Sequence, residues 1–241
     1  MKINGSVVLV TGASRGIGKA LVEKLLAAGA ARVYATARNP AQLEVLVALD
    51  PARVIALRLD TTNSDDVAAV AKAAPDVNVL VNNAGVLSSA NLLTTSRAAI
   101  DADFATNVFG MLEVTKALLP SIERAGGGAV VNVLTVVSLS SMPGLGGYSA
   151  SKAAAYSVTQ ALRGELAPKG IAVHAVFPGP VDTDMSKAIA LPKTSPQAVA
   201  QAIVEGVVRG DEDILPDPMA QQVFDKWSRN PKEVERMFGA M

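Results

Sequence analysis

The stretch that most constrains this chain is its first turn. Ser6-Val7-Val8-Leu9-Val10-Thr11 runs directly into Gly12-Ala13-Ser14-Arg15-Gly16-Ile17-Gly18. A run that is apolar between its ends suits a strand buried on both faces. From Ile17 onward, Leu21, Leu25 and Ala28 recur at helical spacing until Gly29 stops the pattern. The intervening glycines permit a tight turn and close backbone approach, and the helix N-terminus then presents free N–H groups and the positive end of its dipole. Strand, glycine loop and helix in that order form the setting in which such a loop cradles a pyrophosphate. The spacing is G-x-x-x-G-x-G rather than G-x-G-x-x-G, but the physical argument is the same. Gly12, Ser14, Arg15, Gly16, Ile17 and Gly18 are therefore the expected phosphate-side contacts of a dinucleotide.

The alternation continues along the chain. Further strands are expected at Arg32–Thr36, Arg53–Leu59, Val77–Val81, Gly128–Leu134 and Ile171–Phe177, and Ile214-Leu215-Pro216-Asp217 reads as a last edge strand ended by proline. Helices are expected at Ala41–Leu49, Asp66–Ala74, Asp101–Leu119, Tyr148–Leu166 and Pro196–Val208. Regular β-α-β order predicts an α/β fold, a doubly wound parallel sheet with helices on both faces. With no repeat, low-complexity tract or linker, the 241 residues read as one domain, 1–241, with Gly126-Gly127-Gly128 a tight turn. Residues 209–241 form a C-terminal extension in which Trp227, Met237 and Phe238 stand among charges, suited to packing on the domain or to a subunit contact.

Composition excludes several function classes. Lys+Arg and Asp+Glu both number 22, so there is no electrostatic case for nucleic acid or an anionic membrane. Without cysteine there is no disulfide, thiolate metal site or cysteine nucleophile, and one histidine leaves little for a zinc site, so no metal is expected. No run reaches the ~18 apolar residues of a membrane span and no secretory leader is apparent, which predicts a soluble, cytoplasmic protein. Gly12-Ala13-Ser14-Arg15-Gly16 also fits G-x-S-x-G, the nucleophile elbow of hydrolases. That chemistry needs a histidine base, and His174 lies mid-strand in Ile171–Val176, where it reads as a core residue.

A carboxylate ending the second strand would bind the 2′-hydroxyl of NAD. Here that strand ends Tyr34-Ala35-Thr36-Ala37-Arg38, and no Asp or Glu occurs between Glu23 and Glu44. Arg38, with Arg15, is suited to a 2′-phosphate instead, which selects NADP(H).

Thr11–Gly18, Asp60, Asn82-Asn83-Ala84-Gly85, Asn107, Tyr148-Ser149-Ala150-Ser151-Lys152 and Pro178-Gly179, taken in order, resemble the single-domain branch of the short-chain dehydrogenase/reductase family from about Val7 to Thr183. Tyr148 and Lys152, four apart on a helix, project from one face. An ammonium fixed near the phenol would favour phenolate and lower its proton affinity, fitting Tyr148 for proton exchange with a carbonyl or alcohol oxygen. The resemblance implies that Lys152 also reaches the nicotinamide ribose, and that a hydroxyl thirteen residues before the tyrosine steadies the substrate oxygen. That position is Thr135, a departure from the family's serine, and Ser138 three residues on is the alternative. It further implies a proton relay supported by Asn107, adenine contacts at Asp60 and Thr61, an adenosine-ribose floor at Asn83, Ala84 and Gly85, with Asn82 structural, and a nicotinamide segment at Pro178, Gly179, Val181 and Thr183. Residues 184–196 are the expected substrate lid, given an apolar inner side by Met185, Ile189 and Leu191.

These features predict an NADPH-dependent carbonyl reductase or alcohol dehydrogenase. The expected partner is a small-to-medium hydrophobic ketone, aldehyde or secondary alcohol. A 3-oxoacyl thioester reductase is the rival within the class, although Arg97, Lys187 and Lys193 are scattered rather than a patch for a carrier. A catalytically inactive NADP-sensing protein is the rival from another class. The family resemblance also implies a homodimer or homotetramer.

Overall fold

The computed structural model describes residues 1–241. Seven parallel strands form one sheet in the order β3-β2-β1-β4-β5-β6-β7. They are β1 (Val7–Val10), β2 (Arg32–Ala37), β3 (Val54–Arg58), β4 (Val79–Asn82), β5 (Gly128–Val133), β6 (Ile171–Val176) and β7 (Asp213–Ile214). The inner strands are largely apolar because both faces are covered, with Thr36, Asn82, Asn132 and His174 the buried polar exceptions, and their side chains alternate between two cores. Val8 and Val10 of β1 and Val79 and Val81 of β4 enter one core, with α1 (Gly16–Ala27) and α7 (Pro196–Arg209) above it. Leu9 and Leu80 enter the other, beneath α3 (Ser64–Ala73), α5 (Met111–Arg124) and α6 (Gly146–Leu166). No helix is long and apolar enough to cross a membrane.

Two expected helices differ. In place of one helix over 41–49 there is a 3₁₀ turn, Pro40–Leu43, and a single α turn, α2 (Glu44–Val47). Only Leu43 and Leu46 are buried here, while Val45 and Leu49 are exposed, so one turn uses all the available anchors. The helix expected over 101–119 is α4 (Arg97–Phe104) and α5 joined by a wide π turn, Ala105–Gly110. Asn107 and Gly110 explain the widening. Asn107 is bonded to neighbouring segments, and Gly110 packs so close to Thr61 that a Cβ would lie 3.0 Å from the Thr61 carbonyl. Gly127 makes the expected turn into β5, at φ 115° with a Cβ position 2.6 Å from the Gly170 carbonyl.

The C-terminal extension folds into the edge strand β7, then α8 (Pro218–Arg229) and α9 (Pro231–Gly239). Its buried Ala220, Val223, Val234 and Phe238 pack in one cluster with Val136, Val137 and Tyr148.

Candidate functional site

Strand order reverses between β1 and β4, and the loops leaving their carboxyl ends part there, the position where open α/β sheets bind ligands. A cavity of about 710 Å³ occupies that crevice. Gly12, Ser14, Arg15, Gly16 and Ile17 line it. Gly12 and Gly16 have φ of 65° and 55°, which glycine alone adopts freely. At Gly16 a Cβ would sit 3.0 Å from Thr183 Cγ2, so only bare backbone fits between the loop and the opposite wall. Gly18 does not line the cavity. Its Cβ would fall 2.3 Å from the Gly12 carbonyl and 2.5 Å from Asn83 Nδ2, so this glycine closes the turn instead of meeting a ligand.

Asn83, Ala84 and Gly85 line the cavity and brace the glycine loop. Asn83 Nδ2 donates to the Thr11 and Gly12 carbonyls at 2.9 and 3.0 Å, and the Asn83 and Ala84 N–H groups both donate to Thr11 Oγ1. Asn82 is structural, donating to Thr115 Oγ1 and Asn132 Oδ1. At the far end of the cavity stand Arg38, Asp60 and Thr61. Asp60 accepts from Thr62 N–H and Oγ1, which, with the positive charges of Arg38 and Arg58, holds its carboxyl below the usual range. Arg38 is exposed. Arg15 Nη1 lies 3.2 Å from Asp184 Oδ2, a solvent-exposed pair linking the glycine loop to the segment after Thr183.

Pro178, Gly179, Val181 and Thr183 form the opposite wall. Asp217 fastens it to the C-terminal extension: Oδ2 accepts from Gly179 N–H and Oδ1 from Ala220 N–H, both at 2.8 Å. Met219 lines the cavity beside Leu87, Met142 and Leu145, and Met185, Ile189 and Leu191 also face it. Neither Asp217 nor Met219 is signalled by spacing in the sequence. Only the Asp217-Pro218 pair, a helix-start signature, hints at the first.

Thr135, Tyr148 and Lys152 share one wall of this cavity. Ser138 is not on that wall: its Oγ accepts from Thr135 N–H at 3.2 Å, while Thr135 Oγ1 accepts from Val137 N–H at 3.4 Å. Tyr148 is 8% exposed and its hydroxyl has no hydrogen-bond partner within the protein, whereas Lys152 Nζ donates to the Val133 carbonyl at 2.8 Å. Asn107 lies behind the cavity, its Nδ2 donating to the Val86 carbonyl and Ser151 Oγ, its Oδ1 accepting from Val86 N–H. A Cβ on Gly85 would lie 3.2 Å from Asn107 Oδ1 and 3.6 Å from Lys152 Nζ, so the two polar groups converge on this glycine.

Burial governs the electrostatics. Desolvation pushes Lys152 down to about 8, and the buried carboxylate of Asp103 partly opposes that fall. Tyr148 is pushed well above the ordinary phenol value, by burial first and by Asp103 second. The sequence reading expected the neighbouring ammonium to lower Tyr148; instead removal from water and the Asp103 charge raise it, and Lys152 contributes no opposing pull.

His174 lies outside the cavity, its Nδ1 2.5 Å from the Asp211 carbonyl, and burial pushes its proton affinity down. The hydrolase elbow thus has no base. No three His, Cys, Asp or Glu side chains are grouped to hold a metal ion.

The chain is similar to a short chain dehydrogenase from Burkholderia cenocepacia J2315 solved with NADP, 35% identical, each chain 99% covered, TM-score 0.92. It also resembles a short chain dehydrogenase/reductase from Burkholderia phymatum solved with NAD, 25% identical, covering 100% of this chain and 98% of that one, TM-score 0.87. Among curated proteins, the 3-oxoacyl-(acyl-carrier-protein) reductase FabG of Vibrio cholerae serotype O1 is 35% identical over 193 residues, 78% of this chain and 79% of that protein. Residues 6–193 match the short chain dehydrogenase family as a whole, and with the glycine loop, the Tyr148–Lys152 pair and the cavity between them in place, the chain belongs to that family of oxidoreductases.

Proposed function

We propose that this protein is an NADPH-dependent carbonyl reductase, reversible as an alcohol dehydrogenase, acting on a small-to-medium hydrophobic ketone, aldehyde or secondary alcohol. The observation that carries the reading is one cavity lined by the glycine loop and by Tyr148, Lys152 and Thr135 together. The residues fit a dinucleotide, because the turn at Gly16 leaves room for backbone only and lies at the N-terminus of α1.

A reduced nicotinamide bound there supplies the hydride that the carbonyl carbon accepts. Tyr148 delivers the proton to the carbonyl oxygen and becomes phenolate; Lys152 stabilises that charge, and a solvent proton restores the phenol. Thr135 offers the hydroxyl that steadies the oxygen. Asn107 holds the 83–87 segment against α6, and so supports the relay by position. Gly179, Val181 and Thr183 form the floor for the nicotinamide, and residues 184–196 the lid.

Arg15 and Arg38 support selection of NADPH: both stand at the cavity edge, with no carboxylate at the end of β2 to take a 2′-hydroxyl. Leu87, Met142, Leu145, Ile189 and Met219 support an apolar substrate. A 3-oxoacyl thioester is the second reading, favoured by the similarity to the Vibrio reductase. Of the three scattered cations that could greet a carrier, Arg97 is paired with Asp101 and Lys187 with Asp184, which leaves Lys193 alone rather than a patch. Assembly as a homodimer or homotetramer through the helices bearing Asn107 and Tyr148 belongs to the same proposal, and the exposed Phe109 beside Asn107 supports it.

The test is loss of reduced-nicotinamide absorbance with NADPH and NADH in parallel, against small ketones, aromatic aldehydes, diketones and an acetoacetyl thioester. Turnover with NADPH well above NADH is expected, narrowing by roughly tenfold or more when Arg38 is changed to Ala, since a charged hydrogen bond is worth about 1.5–3 kcal/mol. Tyr148→Phe should abolish turnover and leave NADPH binding intact. NADPH binding with no turnover of any compound would instead favour a sensor.

A further inference from the structure

One buried ionisable group is not used by the chemistry above. Asp103 is fully buried on α4, one helical turn before Asn107. Its Oδ1 accepts from Ser88 Oγ at 3.1 Å, and its Oδ2 has no partner in the protein. A carboxylate removed from water with one oxygen unbonded is costly: burial raises the proton affinity of Asp103, and the bonds from Ser88 and the charge of Lys152 are what oppose that rise. That oxygen is directed at the first turn of α6: a Cβ on Gly147, the residue before Tyr148, would lie 3.5 Å from it. One turn further along the same helix is Lys152, an ammonium 6% exposed whose only hydrogen bond goes to the Val133 carbonyl. A buried cation and a buried anion, each short of hydrogen-bond partners, thus act on each other by charge across the α4–α6 contact, without a direct ion pair. No other charge intervenes, because the loop 83–96 that carries Ser88 and the π turn 105–110 contain no ionisable residue. On α4 itself, Arg97 and Asp101 are exposed and paired with each other.

We propose that Asp103 is a positioning residue for the proton-transfer pair: its carboxylate, pinned by Ser88 behind Tyr148 and Lys152, is the counter-charge that keeps the lysine an ammonium inside a desolvated site. The inference rests on the proton-transfer roles given above to Tyr148 and Lys152. Its physical content is a field. A negative charge there raises the proton affinity of both partners: it adds to the rise that burial causes at Tyr148 and partly opposes the fall that burial causes at Lys152. Removing it therefore moves both ionisations to lower pH. In the direction of reduction the proton donor and its ammonium are lost sooner as pH rises; in the direction of oxidation the base becomes available sooner.

Asp103→Asn keeps the shape and the contact with Ser88 but removes the charge. The chain has three tyrosines, Tyr34, Tyr148 and Tyr156, so tyrosine labelled at ring Cζ gives three resonances, and Tyr148→Phe identifies the relevant one. With NADP⁺ bound, the Tyr148 midpoint is expected to fall by roughly one pH unit in Asp103→Asn, the size of effect a nearby charge exerts. The alkaline limb of the reduction profile should fall with it, and Asp103→Glu should restore most of both. Ser88→Ala loosens the carboxyl and eases its protonation, so it should shift the midpoint the same way by less, and it serves if Asp103→Asn does not fold. Unmoved midpoints in both variants, with folding intact, overturn the inference. Failure of the wild type to reduce any carbonyl would sink the functional reading instead, and the Tyr148 midpoint would still decide the role of Asp103.

Discussion

Replacing Lys152 by Met should make the protein more stable while removing its activity. In the fold this ammonium is surrounded by protein, and its proton affinity falls from 10.5 to about 8. At about 1.4 kcal/mol per pH unit, holding the charge there costs roughly 3 kcal/mol. That figure already contains the attraction to Asp103, so no separate correction for the abandoned carboxylate is needed. Methionine fills a similar volume with no charge but leaves the Val133 carbonyl without its donor, a loss of about 1 kcal/mol. The net expectation is a gain of about 2 kcal/mol at pH 7, or roughly 4–8 °C in melting temperature for a chain of this size. The pH dependence supplies the sharper criterion. Below pH 8 the lysine is charged in folded and unfolded chains alike, so the wild type bears the cost in full. As pH rises through about 8 the folded form releases its proton first, and the cost then shrinks until, above 10.5, both forms are neutral and it has gone. Urea unfolding of both proteins at neutral pH and again near pH 10 should therefore show the advantage of Met shrinking toward zero. A variant less stable than wild type at neutral pH, or an advantage independent of pH, would refute the reasoning.

Four further outcomes follow from the geometry. Thr135→Ala should lower turnover by roughly 10²-fold through loss of a hydroxyl at the substrate oxygen, and Thr135→Ser should keep most of it. Ser138→Ala, which only removes an acceptor from Thr135 N–H, should cost about 1 kcal/mol in a denaturant titration and leave the chemistry largely intact. Gly18→Ala places a methyl 2.3 Å from the Gly12 carbonyl and should destabilise the fold by about 2 kcal/mol or more while weakening NADPH binding, read by melting and by nucleotide titration. Met219→Ala opens the apolar wall and should shift kcat/KM toward bulkier carbonyls by roughly tenfold, the scale of a few methylenes in a pocket; an unchanged substrate order would remove Met219 from the specificity wall.

The strands and most helices are legible in the sequence because each is anchored by its own pattern. Val7–Val10 must be buried on both faces wherever it pairs, and Ile17 to Ala28 carries a helical stripe regardless of what lies opposite. The errors arise where neighbours decide. Ala41–Leu49 has helix-forming residues but only two buried anchors, a fact about the surface it meets rather than about its own composition. The π turn around Asn107 is set by Val86 and Ser151, which lie 21 and 44 residues away. The extension after Val208 shows little beyond a proline-ended strand and scattered apolar residues, and its role as a wall of the site emerges only when Asp217 is seen holding Gly179.

The same distinction runs through the site itself. Groups that act by local spacing could be named in advance: Tyr148 and Lys152 share one helix face, and Gly12 and Gly16 share one turn, so their relation is written within a few residues. Gly18 belongs to the same motif yet serves a different end, because what its missing Cβ spares is the Asn83 amide, a group from another loop. Asp103 marks the limit. By sequence it is one acidic residue on a helix beside Arg97 and Asp101, both of which are ordinary surface charges. What distinguishes it is complete burial and an oxygen without a partner, and burial is a property of the assembled helices α4 and α6. The Tyr148–Lys152 pair is therefore recognisable from its own segment, but the buried carboxylate proposed to act on it is recognisable only from the packing. Mutations that leave every motif residue in place can for that reason still move the pH at which this site works.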